Sequence, residues 1–131
     1  MHPRLLLDTH VLIRWLLDAK KLSREQTRIL DRAVNRNEPV ALSAMSLVEI
    51  ALLVSGGKLD VPLAEFLDSI AANIVFRILP LTPEIAAEMG YLAALVDPAD
   101  KAIVASARVH RLTLISSEQR IMDSGLVKVA N

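Results

Sequence analysis

Four acidic residues stand beside apolar segments at widely separated points of this chain. Asp8 and Glu118 each follow closely on a short apolar run, and Glu49 interrupts a helical stretch with little polar face. Asp100 lies near the start of a further helical stretch, three residues after Asp97. A carboxylate among apolar neighbours is costly unless it is paired or bound to a cation. The pattern therefore favours a site built from carboxylates of several segments.

Carboxylates that share one cleft repel each other, which raises their pKa values unless a cation neutralises them. The sequence has no cysteine and three histidines, so a metal would be held by oxygen or imidazole ligands. Oxygen ligands suit Mg²⁺ or Mn²⁺, which retain waters and engage substrate phosphates. Such a site acidifies water and offsets charge on a phosphate. The acids thus predict metal-dependent phosphoryl-transfer or phosphodiester chemistry.

Asp97, Asp100 and Glu49 also have ordinary structural explanations. Asp97 precedes Pro98, which is typical of a helix N-cap, and Asp100 would then lie in the first turn, where the helix dipole favours a carboxylate. Glu49 follows Ser46 by three residues, which is the spacing of a capping box. Asp8 has no comparable explanation and is the most specific of the candidates.

The elements that must position these acids alternate along the chain. The 131 residues, 53% hydrophobic and 23% charged, fit a single domain over 1–131. Short apolar segments predict strands at Arg4–Leu7, Val40–Leu42, Val75–Leu79, Leu112–Ile115 and, at an edge, Leu126–Val129. The helices between them are predicted to begin at Asp8, Ser23, Ser43, Pro62, Thr82, Asp97 and Ser116, and the fifth is expected to cover Glu84–Leu95.

Apolar strands that alternate with helices favour an α/β fold, with a mostly parallel sheet of four to five strands covered by helices on both faces. Ligands of open parallel sheets bind outside the carboxyl ends of the strands. Asp8 and Glu118 follow predicted strands directly or closely, so we expect the acids to meet at that edge.

The charge is balanced overall but not along the chain. Fifteen Lys and Arg offset fifteen Asp and Glu, and that neutrality taken alone argues against a phosphate-rich partner. Residues 1–36 nevertheless carry eight basic and four acidic residues, residues 37–100 two and nine, and residues 101–131 five and two. Basic flanks therefore surround an acidic middle. Apolar runs are too short for a membrane span, and we expect a cytoplasmic protein without a membrane segment.

Four ordered motifs resemble the PIN domain family, and more closely the VapC-type toxins of type II toxin–antitoxin systems. They cover the chain almost end to end: Leu6-Leu-Asp-Thr-His-Val-Leu-Ile13, Leu42-Ser-Ala-Met-Ser-Leu-Val-Glu-Ile50, Asp97-Pro-Ala-Asp-Lys-Ala-Ile-Val-Ala105 and Leu112-Thr-Leu-Ile-Ser-Ser-Glu118. The resemblance implies a three-layer α/β/α PIN-like fold and an endoribonuclease that depends on Mg²⁺ or Mn²⁺. It also implies an RNA substrate, a cognate antitoxin protein and a homodimer.

Carried over motif by motif, the resemblance makes Asp8, Glu49 and Asp100 the catalytic, metal-binding acids. Glu118 occupies the place of a fourth acid that is usually Asp, and its extra methylene favours a role through water. Thr9 fits one of two hydroxyl positions that hold site acids or water.

The second hydroxyl position is filled by Ser116. We expect His10 to pack at the start of its helix rather than to bind metal, and Trp15 to lie in the core or an interface. RNA contacts are expected from basic residues near the motifs, namely Arg14, Lys20, Lys21 and Lys101.

The same motifs bear on three alternative functions. A haloacid-dehalogenase-like phosphatase needs a second Asp two positions after the first, where this chain has His10, and a receiver domain needs a phosphoacceptor after the third strand, where Leu79 and Pro80 stand. A catalytically silent PIN-like module that binds RNA or protein remains open, although Asp8, Glu49 and Asp100 are all present.

Overall fold

The computed structural model describes residues 2–131, which form five strands and seven α-helices. The strands are β1 (Leu5–Leu7), β2 (Val40–Ser43), β3 (Phe76–Leu79), β4 (Thr113–Ile115) and β5 (Val129–Ala130). The helices are α1 (Thr9–Leu17), α2 (Arg24–Asn35), α3 (Ala44–Ser55), α4 (Leu63–Ala72), α5 (Pro83–Met89), α6 (Pro98–His110) and α7 (Gln119–Ser124), with a 3-10 turn at Ala19–Lys21.

All neighbouring strands pair in parallel, in the order β3-β2-β1-β4-β5. Leu6 of β1, for example, lies opposite Ala41 on one side and Leu114 on the other. The predicted α/β class and the mostly parallel sheet are confirmed, and all five strands are parallel.

Two apolar layers enclose the sheet because successive side chains of a strand point to opposite faces. Leu7, fully buried, packs with side chains of α1, α2, α3 and α4. Leu6 points the other way and packs with α5, α6 and α7. Trp15 is half-buried in the first layer, where its ring meets Phe76 edge-on at 5.8 Å and 79°. The result is the three-layer arrangement.

Local capping signals place several helix ends as predicted. The Ser23 hydroxyl accepts from the Gln26 backbone N–H, and the Gln26 side chain accepts from the Ser23 N–H, which completes a capping box. Gly56 ends α3, and Asp97 with Pro98 begins α6.

Three predicted boundaries are wrong, and one of them is the start of α7, which was expected at Ser116 and lies at Gln119. The helix expected over Glu84–Leu95 ends at Met89, and turns follow in which Leu92 and Leu95 are still buried. Their i, i+3 spacing imitates a helix although they reach the core from a loop. The edge strand expected over Leu126–Val129 forms only at Val129–Ala130. No helix within residues 2–131 has the length and apolar content needed to cross a bilayer.

Candidate active site

The strand order creates a crevice at the carboxyl edge of the sheet. After β1 the chain moves outward to β2 and β3, then returns to place β4 on the other side of β1. Ligand sites of open α/β sheets lie at such a reversal of strand order. Asp8 directly follows β1 and Ser116 directly follows β4, so both lie at this point.

Asp8 is held at this edge by two hydrogen bonds. Asp8 is only 3% exposed. Oδ1 accepts from the backbone N–H of Thr9 at 2.8 Å, and Oδ2 accepts from the Ser116 hydroxyl at 2.8 Å. Burial raises the pKa of Asp8, and the bonds from Ser116 and Thr9 and the charge of His10 act in the opposite direction. The carboxylate is thus oriented but carries an uncompensated desolvation cost.

Glu49 reaches the same edge from α3. The Thr9 hydroxyl is within hydrogen-bonding distance of Glu49 Oε1, at 2.5 Å, and of the buried Ser46 Oγ, at 2.9 Å. Burial raises the pKa of Glu49, the Thr9 bond lowers it, and repulsion from Asp8 and Asp97 raises it further. The local alternative for Glu49, a capping partner of Ser46, is replaced by a tertiary contact with α1.

Asp97 and Asp100 have different roles at the start of α6. Asp97 Oδ1 accepts from the backbone N–H groups of Ala99 and Asp100, which confirms the predicted N-cap. Asp100 is 8% exposed, and burial together with repulsion from Asp97 and Asp8 raises its pKa to about 6. The charge of Asp8 thus acts on Glu49 of α3 and on Asp100 of α6.

Arg120 of α7 contacts two of these acids. Its Nη2 lies 3.3 Å from Asp100 Oδ2 and 3.4 Å from Glu118 Oε2. Glu118 itself is half-buried before α7, and its backbone N–H donates to Ser116 Oγ at 3.0 Å. The sequence places Arg120 among the basic residues of 101–120 that are expected to contact RNA, but it did not predict the contacts of Arg120 with these acids.

The donor set matches a hard divalent cation in chemistry. The converging groups are carboxylate oxygens that repel one another, and a cation would relieve that repulsion. Within residues 2–131, however, no three Asp, Glu or His side chains are close enough to form a ready-made ligand group. Mg²⁺ commonly uses one or two carboxylates and several waters, so the arrangement fits a partly hydrated ion.

The remaining predicted residues lie at varied places around the cleft. Lys101 is half-buried next to Asp100, and Arg14 is half-buried in the last turn of α1. Lys20 and Lys21 are exposed in the 3-10 turn, where Lys21 Nζ lies 3.6 Å from Asp18.

His10 is exposed, so the expectation that it packs at the helix start is wrong. It lies in the first turn of α1, directly after two buried residues that line the cleft, Asp8 and Thr9. The side chain is therefore at the mouth of the cleft rather than in the apolar layer.

Comparison with known proteins decides the family. The model of the PIN domain matches residues 5–124, which includes every acid of the cleft. The chain belongs to the PIN domain family. This PIN domain is 28% identical over 120 residues to Ribonuclease VapC22 of Mycobacterium tuberculosis, with 88% of each chain covered.

Solved structures share the fold of this PIN domain. FitAcB from Neisseria gonorrhoeae is similar with a TM-score of 0.70 and 25% identity, and the match covers 97% of this chain and 96% of that one. VapBC2 from Rickettsia felis, bound to a DNA fragment of its promoter, gives a TM-score of 0.74 at 16% identity, with 97% of each chain covered.

Proposed function

We propose that this PIN domain is an endoribonuclease that depends on Mg²⁺ or Mn²⁺ and acts as the toxin of a toxin–antitoxin pair. The observation that carries the proposal is the position of Asp8 at the strand-order reversal, where its charge raises the pKa of both Glu49 and Asp100. The similarity to a protein named Ribonuclease VapC22 supports the same activity.

Asp8, Glu49 and Asp100 would hold the ion in this proposal, either directly or through its bound waters. Glu118 would act through a water, because its carboxylate is turned toward Arg120. When bound, the ion supplies acidification of the attacking water and compensation of charge on the scissile phosphate. Cleavage by this route leaves 5′-phosphate and 3′-hydroxyl ends.

The protein's own contribution is orientation. Ser116 and the Thr9 backbone fix both oxygens of Asp8, and the Thr9 hydroxyl fixes Glu49. Because Asp8 is buried, its position is set before substrate arrives, and little reorganisation is needed during reaction. Four basic residues are proposed to guide the RNA backbone toward the acids, namely Arg14, Lys20, Lys21 and Lys101.

An apolar surface on α1 and α3 supports the proposed protein partners. Four large apolar side chains are exposed there: Leu16, Leu17, Val48 and Leu52. Exposed apolar groups on adjacent helices are typical of protein interaction sites. A cognate antitoxin and a second copy of this chain are the proposed occupants of this and neighbouring surfaces, and the proposed location is cytoplasmic.

Cleavage assays with matched variants test the activity. Purified protein is incubated with a mixture of single-stranded and structured RNA in Mg²⁺, Mn²⁺ or EDTA, and the product ends are mapped. EDTA, Asp8→Asn and Asp100→Asn are each expected to abolish cleavage, because each removes the ion or a ligand. Asp60→Asn is the control, since Asp60 is an exposed acid before α4.

Cleavage that survives EDTA and both site variants would overturn the metal assignment. RNA binding without cleavage by the unaltered protein under any metal would instead assign the silent binding module. Size-exclusion chromatography with light scattering tests the homodimer, and co-expression with the neighbouring gene tests the antitoxin.

A further inference from the structure

A basic groove lies at the end of the sheet opposite the acids. It has a volume of about 480 Å³ and is bounded by α2, the start of β1, the start of β4 and β5. Five cationic side chains line it: Arg4, Arg28, Arg32, Arg36 and Lys128. Arg4 precedes β1 and Asp8 follows it, and four residues of extended chain span about 13 Å. The groove and the acidic cleft are therefore separate surfaces.

Most of the positive charge in this groove is uncompensated. Arg28 is paired with Glu25, but no carboxylate of residues 2–131 lies within 4.0 Å of the other four cations. The second acid of the lining, Glu38, is half-buried. Concentrated like charge destabilises a protein by self-repulsion unless a ligand of opposite charge is bound.

Arg28 and Arg32 of α2 and Arg36, the residue that caps its end, form a regular row. Arg28, Arg32 and Arg36 follow at intervals of four residues, which places them on one face of the helix, about 6 Å apart. A solvated face of an amphipathic helix would explain this row alone. It does not explain Arg4 and Lys128, which other segments bring to the same groove.

The lining identifies the ligand chemistry. Guanidinium groups match phosphate oxygens in two-pronged geometry, and each is charged at all physiological pH values. No aromatic side chain lines the groove, so the groove has no ring on which an unpaired base could stack. Recognition would therefore be of a phosphate backbone, independent of sequence.

The orientation of α2 connects this groove with the cleft. Near its beginning, the Gln26 amide donates to Ser117 Oγ at 2.8 Å, close to the end of β4. From its end, a short turn leads into the start of β2. A helix of 12 residues is about 18 Å long, so α2 spans the distance between the two edges.

We propose that this groove binds the phosphate backbone of a structured RNA whose single-stranded part enters the acidic cleft. This inference rests on the proposed ribonuclease function, and it adds a binding surface that sets which RNAs are cut. RNAs too short to span α2 gain nothing from it.

The test compares two double variants that each remove two positive charges. Arg32→Gln/Arg36→Gln alters the groove, and Lys58→Gln/Arg77→Gln alters exposed cations elsewhere. Binding of a bulk tRNA mixture is measured in an Asp8→Asn background by fluorescence anisotropy over a range of salt. The groove variant is expected to bind about tenfold more weakly and to lose about two units of salt slope. The control pair is expected to leave both unchanged.

Cleavage of two RNAs distinguishes a failure of the groove assignment from a failure of the proposed ribonuclease function. When Asp8 is kept, Arg32→Gln/Arg36→Gln should raise the KM for a hairpin RNA and leave the cleavage of a single-stranded hexanucleotide unchanged. Equal loss on both RNAs, or tRNA binding equal to that of the control pair, would overturn the groove assignment. Loss of poly-glutamate binding with intact tRNA binding would assign the groove to an acidic protein segment instead. If neither the unaltered protein nor any variant cleaves RNA, the ribonuclease proposal is contradicted. The tRNA binding measurement then still tests whether the groove binds RNA.

Discussion

Arg120 bridges Asp100 and Glu118 across the mouth of the acidic cleft. Its guanidinium Nη2 is 3.3 Å from Asp100, while the Arg120 side chain remains 65% exposed. Among the charges that act on Asp100, Arg120 lowers its pKa, against the larger effects of burial and of Asp97 and Asp8. The cleft thus holds an internal cation on a flexible arm, beside acids that are proposed to hold a metal.

Replacing Arg120 should change metal binding in a defined direction. Arg120→Gln removes a positive charge beside two proposed ligands, so we expect Mn²⁺ to bind about tenfold more tightly, as measured by isothermal titration calorimetry. Arg28→Gln, which breaks an exposed ion pair on α2, is the control. An unchanged Mn²⁺ affinity would show that Arg120 does not compete with the ion.

The pKa of Asp100 predicts how the stability of the metal-free protein depends on pH. Because folding raises this pKa from 3.8 to about 6, the folded state binds the proton more tightly, and the free energy of unfolding falls as pH rises through that window. The loss in the free energy of unfolding is complete above about pH 6. It amounts to about 1–2 kcal/mol, because partial contact with solvent weakens the effect of the pKa shift.

Thermal unfolding in EDTA at several pH values measures this effect. Asp100→Asn should raise the melting temperature at pH 7 and flatten its pH dependence, and Mg²⁺ or Mn²⁺ should stabilise only the unaltered protein. Asp60→Asn serves as the exposed control. A melting temperature that rises between pH 4 and 6 in unaltered protein would contradict the assignment.

The Thr9 hydroxyl should be needed beyond its contribution to packing. Thr9→Val keeps the shape but removes the contacts with Glu49 and Ser46, so we expect a stability loss of about 1–2 kcal/mol and a lower kcat. Thr9→Ser should restore kcat because it restores the hydroxyl. Thr27→Val on the exposed side of α2 is the matched control. Full activity in Thr9→Val would remove this hydroxyl from the mechanism.

Ser116 should control the ionisation of Asp8. Its hydroxyl donates to Asp8 Oδ2 and lowers the pKa of that carboxyl, so Ser116→Ala should raise it. The acidic limb of the pH–rate profile is then expected to move to higher pH, with a stability loss of about 1–3 kcal/mol at pH 7. Ser69→Ala, an exposed serine of α4, controls for the loss of a hydroxyl. An acidic limb that stays in place would assign Ser116 a structural role alone.

Features encoded within a few residues could be predicted from the sequence. The capping box of Ser23 and Gln26 and the N-cap Asp97 depend on local hydrogen bonds, and both were placed correctly. The end of α5 was misplaced because Leu92 keeps its apolar role in a turn. The spacing of apolar residues indicates which side chains are buried, and Leu92 is buried without being part of a helix.

Site features that depend on distant segments were only partly predictable. Asp8 and Glu49 were predictable because each stands among apolar residues, whereas Asp100 and Glu118 depended on the predicted helix and strand ends and on the resemblance to the PIN domain family. The contact of Thr9 with Glu49 joins residues 40 positions apart, and Arg120 reaches Asp100 from another helix. The basic groove was missed for the same reason, since Arg4 and Lys128 are brought together only by the fold.

The pairing of β1 with β4 determines when the cleft can assemble during synthesis. Asp8 is synthesised 108 residues before Ser116, whose hydroxyl orients it and which directly follows the strand that must pair with β1. Parallel pairing over such a separation is a late and slow folding event. A nascent chain that has not yet released β4 and Ser116 therefore carries no assembled cleft.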